Sequence, residues 1–420
     1  MNAVLDELEW RGLLANTTDL DALREEMDKG PISFYVGFDP TAPSLHIGHL
    51  IQLVTARRLQ QAGHRPVLLV GGATGMIGDP KESGERVMNP PEVVAGWVER
   101  LRGQVSRFVS FEGDSAARLV NNLDWVGQMD VITFLRDIGK HFPVNRMLAR
   151  DIVAKRLESG ISFTEFSYVL LQSMDYLELH QRHGVTLQTG GSDQWGNIAA
   201  GADLIRRVLG HTVHGISTPL LTKADGTKFG KTEGGAVWID PEMTSPYVFH
   251  QFFLNAEDAK VIEYLKVFSP RGREEIEELE RQTEAEPFRR AAQRALADDI
   301  TDLVHGVEER ESVTRAAEAL FGRSDLTTLP ASALEQVAAE VGGGELEAGA
   351  ELPTVAEALH LSGVVASRSA GRRTIEEGGA YLNNEKVTDV EARLTEDDFL
   401  GGRHCILRRG KRTIGVLRRG

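Results

Sequence analysis

A single cysteine, Cys405, is all the chain contains. One thiol excludes an internal disulfide and any cysteine metal cluster. Long apolar runs are missing as well, and none approaches the roughly 20 residues that a membrane helix needs. Asp6, Glu7 and Glu9 interrupt the N-terminal segment, where a secretory signal would need an apolar centre, so a cytoplasmic protein is expected. Positive charge is in deficit, 47 Lys and Arg against 62 Asp and Glu, and the net charge of −15 argues against a general nucleic-acid binder. Acids in turn are absent after Asp398, where Arg403, Arg408, Arg409, Lys411, Arg412, Arg418 and Arg419 follow. A local basic footprint on an acidic body suits selective, salt-sensitive RNA contact better than indiscriminate coating. With 420 residues the chain exceeds one ordinary core, and two or three domains are expected.

The residues present point to phosphate chemistry. Ile32–Val36 reads as a strand and Leu50–Leu59 has helical spacing of its apolar positions, so the first helical turn falls near His46-Ile-Gly-His49. Unpaired N–H groups and the positive end of the helix dipole attract phosphate there. Gly48 leaves room for a ring against the backbone, and His46 and His49 share one helix face from which imidazoles can donate to phosphate oxygens. The alternative is an ordinary histidine pair on a surface helix. Far along the chain, Thr222-Lys-Ala-Asp-Gly-Thr-Lys-Phe-Gly-Lys-Thr232 has lysines, glycines and hydroxyls without a hydrophobic period. It is expected to be a mobile loop able to close over a polyphosphate, or else a solvated basic loop. A third feature is Tyr168-Val-Leu-Leu-Gln-Ser-Met-Asp175: Tyr168, Gln172 and Asp175 at i, i+4 and i+7 line one helix face with polar groups. A ligand pocket or a self-satisfied buried network would each explain them.

Together, His46-Ile-Gly-His49 and Lys228-Phe-Gly-Lys-Thr232 resemble the two signatures of class I aminoacyl-tRNA synthetases. Gln188-Thr-Gly-Gly-Ser-Asp-Gln-Trp-Gly-Asn197, Phe38-Asp-Pro-Thr41 and Val70-Gly-Gly-Ala-Thr-Gly-Met-Ile-Gly-Asp-Pro80 narrow the resemblance to the bacterial tyrosyl-tRNA synthetases, from about residue 5 to the C-terminus. The implied fold is α/β: a Rossmann-like parallel-sheet nucleotide-binding domain over residues 1–246, with a mostly helical insertion at about 81–185 that forms the surface of a homodimer. An all-α domain for the tRNA anticodon region would span 247–321 and a flexible Gly-rich linker 322–351. A small α+β RNA-binding module of the ribosomal-protein type would occupy 352–420. The implied reaction activates L-tyrosine with ATP to tyrosyl-adenylate and pyrophosphate, then transfers tyrosine to the 3′ end of its cognate tRNA.

The resemblance also implies residue roles. Thr41 and His46 would meet the leaving pyrophosphate, and His49 the nucleotide near its ribose. Lys228, Lys231 and Thr232 would close over the pyrophosphate, with Lys81 and Arg86 as further candidates. Gly37, Asp39, Gly48, Gly191, Asp193 and Lys231 would hold ATP and the adenylate. Tyr35, Thr74, Asp79, Asn122, Tyr168, Gln172, Asp175 and Gln194 would hold tyrosine, with Asp175 and Tyr35 on the phenol hydroxyl and Tyr168, Gln172 and Asp79 on the ammonium. Arg368, Arg372, Arg373, Arg408, Arg409, Lys411 and Arg412 would contact tRNA. Mg²⁺ is expected with ATP, although no carboxylate cluster for a protein-held metal is evident. The rival enzymes are a tryptophanyl synthetase or a nucleotidyltransferase with the same histidine motif; the rival of another class is an RNA-binding protein without catalysis.

Overall fold

The structure is a computed structural model that describes residues 3–81, 84, 88–232, 235–320, 334–335, 338, 341–347, 349–410 and 413–419, with backbone alone at 231–232 and 319–320. Arg86, Lys411 and Arg412 lie outside the described residues, as do the side chains of Lys231 and Thr232. Two compact units are formed, Met1–Met243 with Ala256–Leu296, and Thr244–Asn255 with Ala297–Gly420. The stretch expected as one helical domain, 247–321, is divided between the two units.

The first unit is built on a six-stranded sheet. Its strands are β1 Asn16–Thr17, β2 Ser33–Phe38, β3 Arg65–Val70, β4 Arg118–Asn121, β5 Val185–Gly191 and β6 His214–Thr218, in spatial order β1-β6-β5-β2-β3-β4. All neighbours run parallel except the short β1 edge against β6. The apolar runs of β2 and β3 suit strands covered on both faces, and Phe34, Val36, Val67 and Leu68 are buried. The helix Ile47–Gln61 joins them as the periodicity predicts. Within the segment read as a mostly helical insertion, the short β4 joins this sheet, paired with β3 from Val67↔Arg118 to Val70↔Asn121. The carboxyl ends of β2, β3 and β5 carry Asp39, Gly71 and Gly191, so the motif residues gather at one edge of the sheet, where parallel sheets bind ligands.

The second unit holds a five-stranded sheet. Its strands are β9 Gly343–Leu346, β10 Ala380–Leu382, β11 Glu385–Lys386, β12 His404–Arg409 and β13 Thr413–Arg419, in the order β11-β10-β12-β13-β9; a two-stranded ribbon of β7 Lys231–Thr232 and β8 Gly235–Ala236 belongs to the first unit. Asn383 and Asn384 take φ of 47° and 69° between β10 and β11. Two successive left-handed residues make the turn that matches strand twist in a two-residue hairpin. One sheet face carries Cys405, Leu407 and Leu417 into a core with the helix Val355–Leu361, and the other carries Ile406 and Val416 against Val313, Ala316 and Tyr247.

The linker expected over 322–351 is corrected in its last third. Gly343–Leu346 is a sheet strand parallel to β13, and its glycines are there for close approach. A Cβ on Gly343 would lie 1.7 Å from the Val416 carbonyl oxygen, and one on Gly344 would lie 2.3 Å from that of Leu361. No side chain fits there, so residues that resemble a flexible spacer are a packing requirement.

Candidate functional site

The first signature folds into a helix start that caps itself. His46 is the N-cap; its Nδ1 accepts from the Gly48 N–H at 3.0 Å, while His49 Nδ1 accepts from the His46 N–H at 3.2 Å. Ile47 N–H donates to the Val237 carbonyl at 3.1 Å, and the N–H groups of His49 and Leu50 both reach the His46 carbonyl at 2.8 and 3.3 Å. The expected unpaired N–H groups are thus already engaged, and the anion-seeking groups are the side chains. With Nδ1 accepting, each neutral ring carries its proton on Nε2 and offers that N–H as donor. Burial, with His46 adjacent, pushes His49 down to about 3, so it stays neutral at physiological pH. The two rings stack with centroids 4.0 Å apart. Gly48 is required by this geometry, since a Cβ would lie 2.8 Å from His46 Cε1.

The second signature is less mobile than its composition suggests. Lys223 N–H donates to the Thr227 carbonyl at 2.8 Å, Phe229 N–H to that of Leu221 at 2.9 Å, and the Asp225 carboxylate takes both the N–H and the hydroxyl of Thr227 at 2.9 and 2.6 Å. Phe229 stacks on Tyr264 with centroids 4.0 Å apart. Gly230 follows at φ 94°, its Cβ position 3.2 Å from Ile47 Cβ and 3.8 Å from the Gly48 nitrogen. A pinned turn therefore sets the second signature against the first, with Lys228 exposed at its flank and the β7 backbone of Lys231 and Thr232 leaving from the contact.

Beside these lies a buried polar network on the helix Phe163–His183, which Ser162 caps and Gly184 ends in a left-handed turn. Asp175, 2% exposed, accepts from Asn122 Nδ2 at 3.0 Å and Trp125 Nε1 at 2.8 Å. Asn122 Nδ2 also donates to Thr74 Oγ1 at 2.9 Å, and Asp39 accepts from the hydroxyls of Thr74 and Tyr168, both at 2.6 Å. Asp79 accepts from Gln194 Nε2 at 2.8 Å and Asn197 Nδ2 at 3.3 Å, while Arg150 donates to Asn197 Oδ1 at 2.5 Å. Among the buried side-chain atoms without a hydrogen-bond partner in the described residues are two on residues expected in the pocket, the Tyr35 hydroxyl and Gln172 Oε1. Leaving each unpaired costs about 1–3 kcal/mol, which an arriving ligand can recover.

The residues expected to hold tyrosine fall into two hydrogen-bonded groups, Asp175 with Asn122, Thr74 and, through Asp39, Tyr168, and Asp79 with Gln194, while Tyr35 and Gln172 carry unpartnered atoms. The elements that carry Gly37, Thr41, Gly191 and Asp193 end at the same sheet edge; Thr41 and Asp193 are exposed. The sequence reading missed Trp125, Asn197 and Gly71. Trp125 stands three residues after Asn122 on one helical turn, a spacing that could have found it. Gly71 had no such signal: a Cβ there would fall 2.1 Å from Asp39 Oδ1 and 2.2 Å from Thr74 Oγ1, so only glycine admits their bond.

Burial dominates the electrostatics. It pushes Asp175 up to about 7 and Asp79 up to about 6 against the pull of their amide and indole donors, and drives the Tyr35 and Tyr168 phenols well above their usual range. Between the ordinary carboxyl value of 3.8 and these raised values, the folded chain binds more protons than the unfolded one. Stability should therefore fall as pH rises through about 4 to 7, by up to roughly 1.4 kcal/mol per pH unit for each such carboxyl. Thermal melts of the ligand-free protein should show a Tm declining across that window, with Asp175→Asn flattening the decline; equal slopes for the two proteins would contradict the burial of this charge.

Among the described residues no group of three or more His, Cys, Asp and Glu side chains could hold a metal ion.

The family model described as tRNA synthetases class I (W and Y) matches residues 27–322, and that of the tyrosine–tRNA ligase SYY-like C-terminal domain matches 333–416. Tyrosine–tRNA ligase of Cutibacterium acnes is 62% identical over 419 residues, covering 100% of both chains. That of Streptomyces coelicolor is 57% identical over 420 residues, covering 99% of each. Among solved structures, a C-terminally truncated mitochondrial tyrosyl-tRNA synthetase of Coccidioides posadasii is 33% identical with a TM-score of 0.67, covering 74% of this chain and 91% of its own. A tryptophanyl-tRNA synthetase of Encephalitozoon cuniculi, 16% identical with a TM-score of 0.54 and covering 74% and 92%, shares the fold.

Proposed function

The chain belongs to the tyrosine–tRNA ligases of the class I tRNA synthetases, and from that premise we propose how its residues divide the work. As an enzyme of this family it uses ATP to join tyrosine to tRNA. The observation that carries the residue assignment is the pair of unpartnered buried atoms, Tyr35 OH and Gln172 Oε1, around a network centred on Asp175. A substrate phenol hydroxyl completes Asp175 and Tyr35, and its ammonium is met by Gln172 Oε1 and by the carboxylates Asp79 and Asp39. Tyr168 holds Asp39 in place. Thr74, Asn122 and Gln194 orient these carboxylates.

ATP lies over the backbone at Gly37, Gly48 and Gly191, with Asp193 on the ribose hydroxyls. The tyrosine carboxylate attacks the α-phosphorus, the bond to the β-phosphate oxygen breaks, and pyrophosphate leaves carrying the negative charge. His49, kept neutral by burial, donates from Nε2 with the His46 ring beside it, Thr41 adds its hydroxyl, and Lys228, Lys231 and Thr232 close on the leaving group, so the protein acts by position and charge. Mg²⁺ accompanies the phosphates of ATP. The terminal ribose hydroxyl of tRNA then attacks the tyrosyl carbonyl of the adenylate, the carbonyl carbon's bond to the phosphate oxygen breaks, and AMP leaves. Exchange of labelled pyrophosphate into ATP, driven by tyrosine but not by tryptophan or phenylalanine, is the expected result; exchange driven equally well by tryptophan would overturn the pocket assignment.

Val131, Ile132, Val144 and Phe163 are exposed at 70, 69, 61 and 72%, an apolar set in one part of the chain that a monomer would leave in water. They form the subunit face of a homodimer. Ile132→Glu combined with Val144→Glu should shift sedimentation to the monomer at micromolar concentration; an undisturbed dimer would place the interface elsewhere. Among the described residues no helix is long and apolar enough to cross a membrane, and a cytoplasmic place fits the substrates. The C-terminal module binds tRNA through its basic residues.

A further inference from the structure

Arg150 has no role in the scheme above, yet its side chain reaches the tyrosine site. It follows the helix Val144–Leu148 and forms the N-cap of the helix Asp151–Arg156. Its half-buried guanidinium lies against the backbone of Gly196, where a Cβ would fall 3.2 Å from Arg150 Nη2 and 3.6 Å from Nε. Glycine weakens the helix Trp195–Leu209 at its second residue, and the close approach of the guanidinium is what favours it there.

From there a chain of hydrogen bonds runs to Asp79. Arg150 Nη2 donates to Asn197 Oδ1 at 2.5 Å, and Asn197 Nδ2 donates to Gln194 Oε1 at 3.0 Å and to Asp79 Oδ1 at 3.3 Å. Gln194 Nε2 donates to Asp79 Oδ2 at 2.8 Å. A guanidinium has donors and no acceptor. Asn197 must therefore show it an oxygen, which turns its NH₂ towards Asp79 and Gln194; Gln194, accepting with its own oxygen, turns its NH₂ to Asp79 as well. One cation thus sets the direction of two amides, and each Asp79 oxygen receives one N–H. Without it either amide can rotate and put an oxygen against the carboxylate. Asn197 is only 2% exposed, so water is poorly placed to replace the lost donor. The charge also acts at longer range: burial pushes Asp79 up, its two amide partners and Arg150 pull it down, and Asp39 pushes it up again. The Tyr168 phenol, which feels the Asp79 charge, stays protonated.

We propose that Arg150 is a positioning residue for amino-acid binding, one that acts through Asn197 and Gln194 to aim the Asp79 carboxylate at the substrate ammonium. The inference rests on the reading that Asp79 meets that ammonium. The same positive charge favours the ionised carboxylate, the form that attracts an ammonium. Asp175, at the phenol end of the pocket, is outside this chain of bonds, so the effect of Arg150 is confined to the amino group.

The test compares tyrosine with desamino-tyrosine, which lacks the amino group, on the full-length chain. R150M removes the charge and the donors. It is expected to raise the Kd of tyrosine about tenfold while leaving kcat of pyrophosphate exchange within about threefold of wild type. Binding of desamino-tyrosine should not weaken. The acid limb of kcat/KM for tyrosine should move to higher pH, because the carboxylate has lost a cation that favoured its ionised form. R150K, which keeps a charge and a donor, should return both Kd and acid limb towards wild type. If R150M lowers Tm, R150Q decides in its place, since it keeps a donor without the charge, and the same displaced acid limb is expected. Wild-type tyrosine Kd and acid limb in R150M overturn the proposal. Equal weakening of tyrosine and desamino-tyrosine also overturns it, since disturbed packing alone would do that. D79N separates the two levels: it should weaken tyrosine and not desamino-tyrosine, and R150M should then add no more than about twofold to it. A D79N protein that treats the two ligands alike removes the Asp79 assignment itself, whereas one that separates them, beside an R150M without effect, removes only the role of Arg150.

Discussion

Asp175→Asn is expected to lower kcat/KM for tyrosine by about 10²-fold and to cut the preference for tyrosine over phenylalanine by about tenfold or more, while the Kd of ATP changes little. Asp175 accepts from Asn122 Nδ2 and Trp125 Nε1 inside the protein, and both are donors only. An amide in its place can turn one oxygen towards one of them, but its NH₂ then faces the other. At least one buried donor loses its partner, at a cost of about 1–3 kcal/mol, and the acceptor proposed for the substrate hydroxyl is replaced. Phenylalanine never uses that acceptor, so its rate suffers only from the disturbed packing. Pyrophosphate exchange with the two amino acids measures the ratio. An unchanged ratio would take Asp175 out of the specificity pocket, whatever happened to the absolute rates. The same substitution should flatten the pH dependence of stability, because a carboxyl pushed up to about 7 by burial no longer titrates. Loss of selectivity together with a flatter melt profile would identify a group kept in an unfavourable environment for recognition.

For Lys231→Ala the expected loss is in rate, on the order of 10²-fold or more in adenylate formation, with the Kd of ATP within a few-fold of wild type. The backbone of Lys231 starts β7 immediately after Gly230, whose Cβ position is within 3.8 Å of the Gly48 nitrogen. Phe229 anchors the preceding turn on Tyr264. This attachment sets the backbone that leads into Lys231 against the start of the helix carrying His46 and His49, the place proposed for the pyrophosphate. A contact formed with the departing group strengthens along the reaction and contributes little to ATP binding beforehand. Single-turnover rapid quench separates the two quantities. A full rate with greatly weakened ATP affinity would make Lys231 an ordinary binding residue.

Local signals carried much of the fold and of the candidate site. β2, the helix Ile47–Gln61 and β3 are apolar runs with the right periods, and turn glycines mark their ends. Tyr168, Gln172 and Asp175 were visible as a one-sided polar face because a helix of known period displays its own geometry. β4 was not legible: Arg118-Leu-Val-Asn121 is four residues long and becomes a strand because β3 offers it an edge. β9 is plainer still. Its Gly343-Gly-Glu-Leu346 has little strand propensity, and the ladder with β13 makes it one.

The sequence by itself determined which chemical groups this protein owns and roughly which elements bear them: two neutralisable histidines at a helix start, a lysine-bearing turn, a polar helix face and a basic C-terminus. Only the tertiary structure decided which of those groups remain available. It engages the first-turn N–H groups of the His46 helix, leaves Tyr35 OH and Gln172 Oε1 without partners, pairs Arg368 with Glu357 and Arg372 with Glu391, and sets Arg150 on Asn197. The reason is that the availability of a hydrogen bond or a charge is a property of pairs. Partners such as Val237 for Ile47, Trp125 for Asp175 and Arg150 for Asn197 are set by packing between distant segments, which no local period encodes.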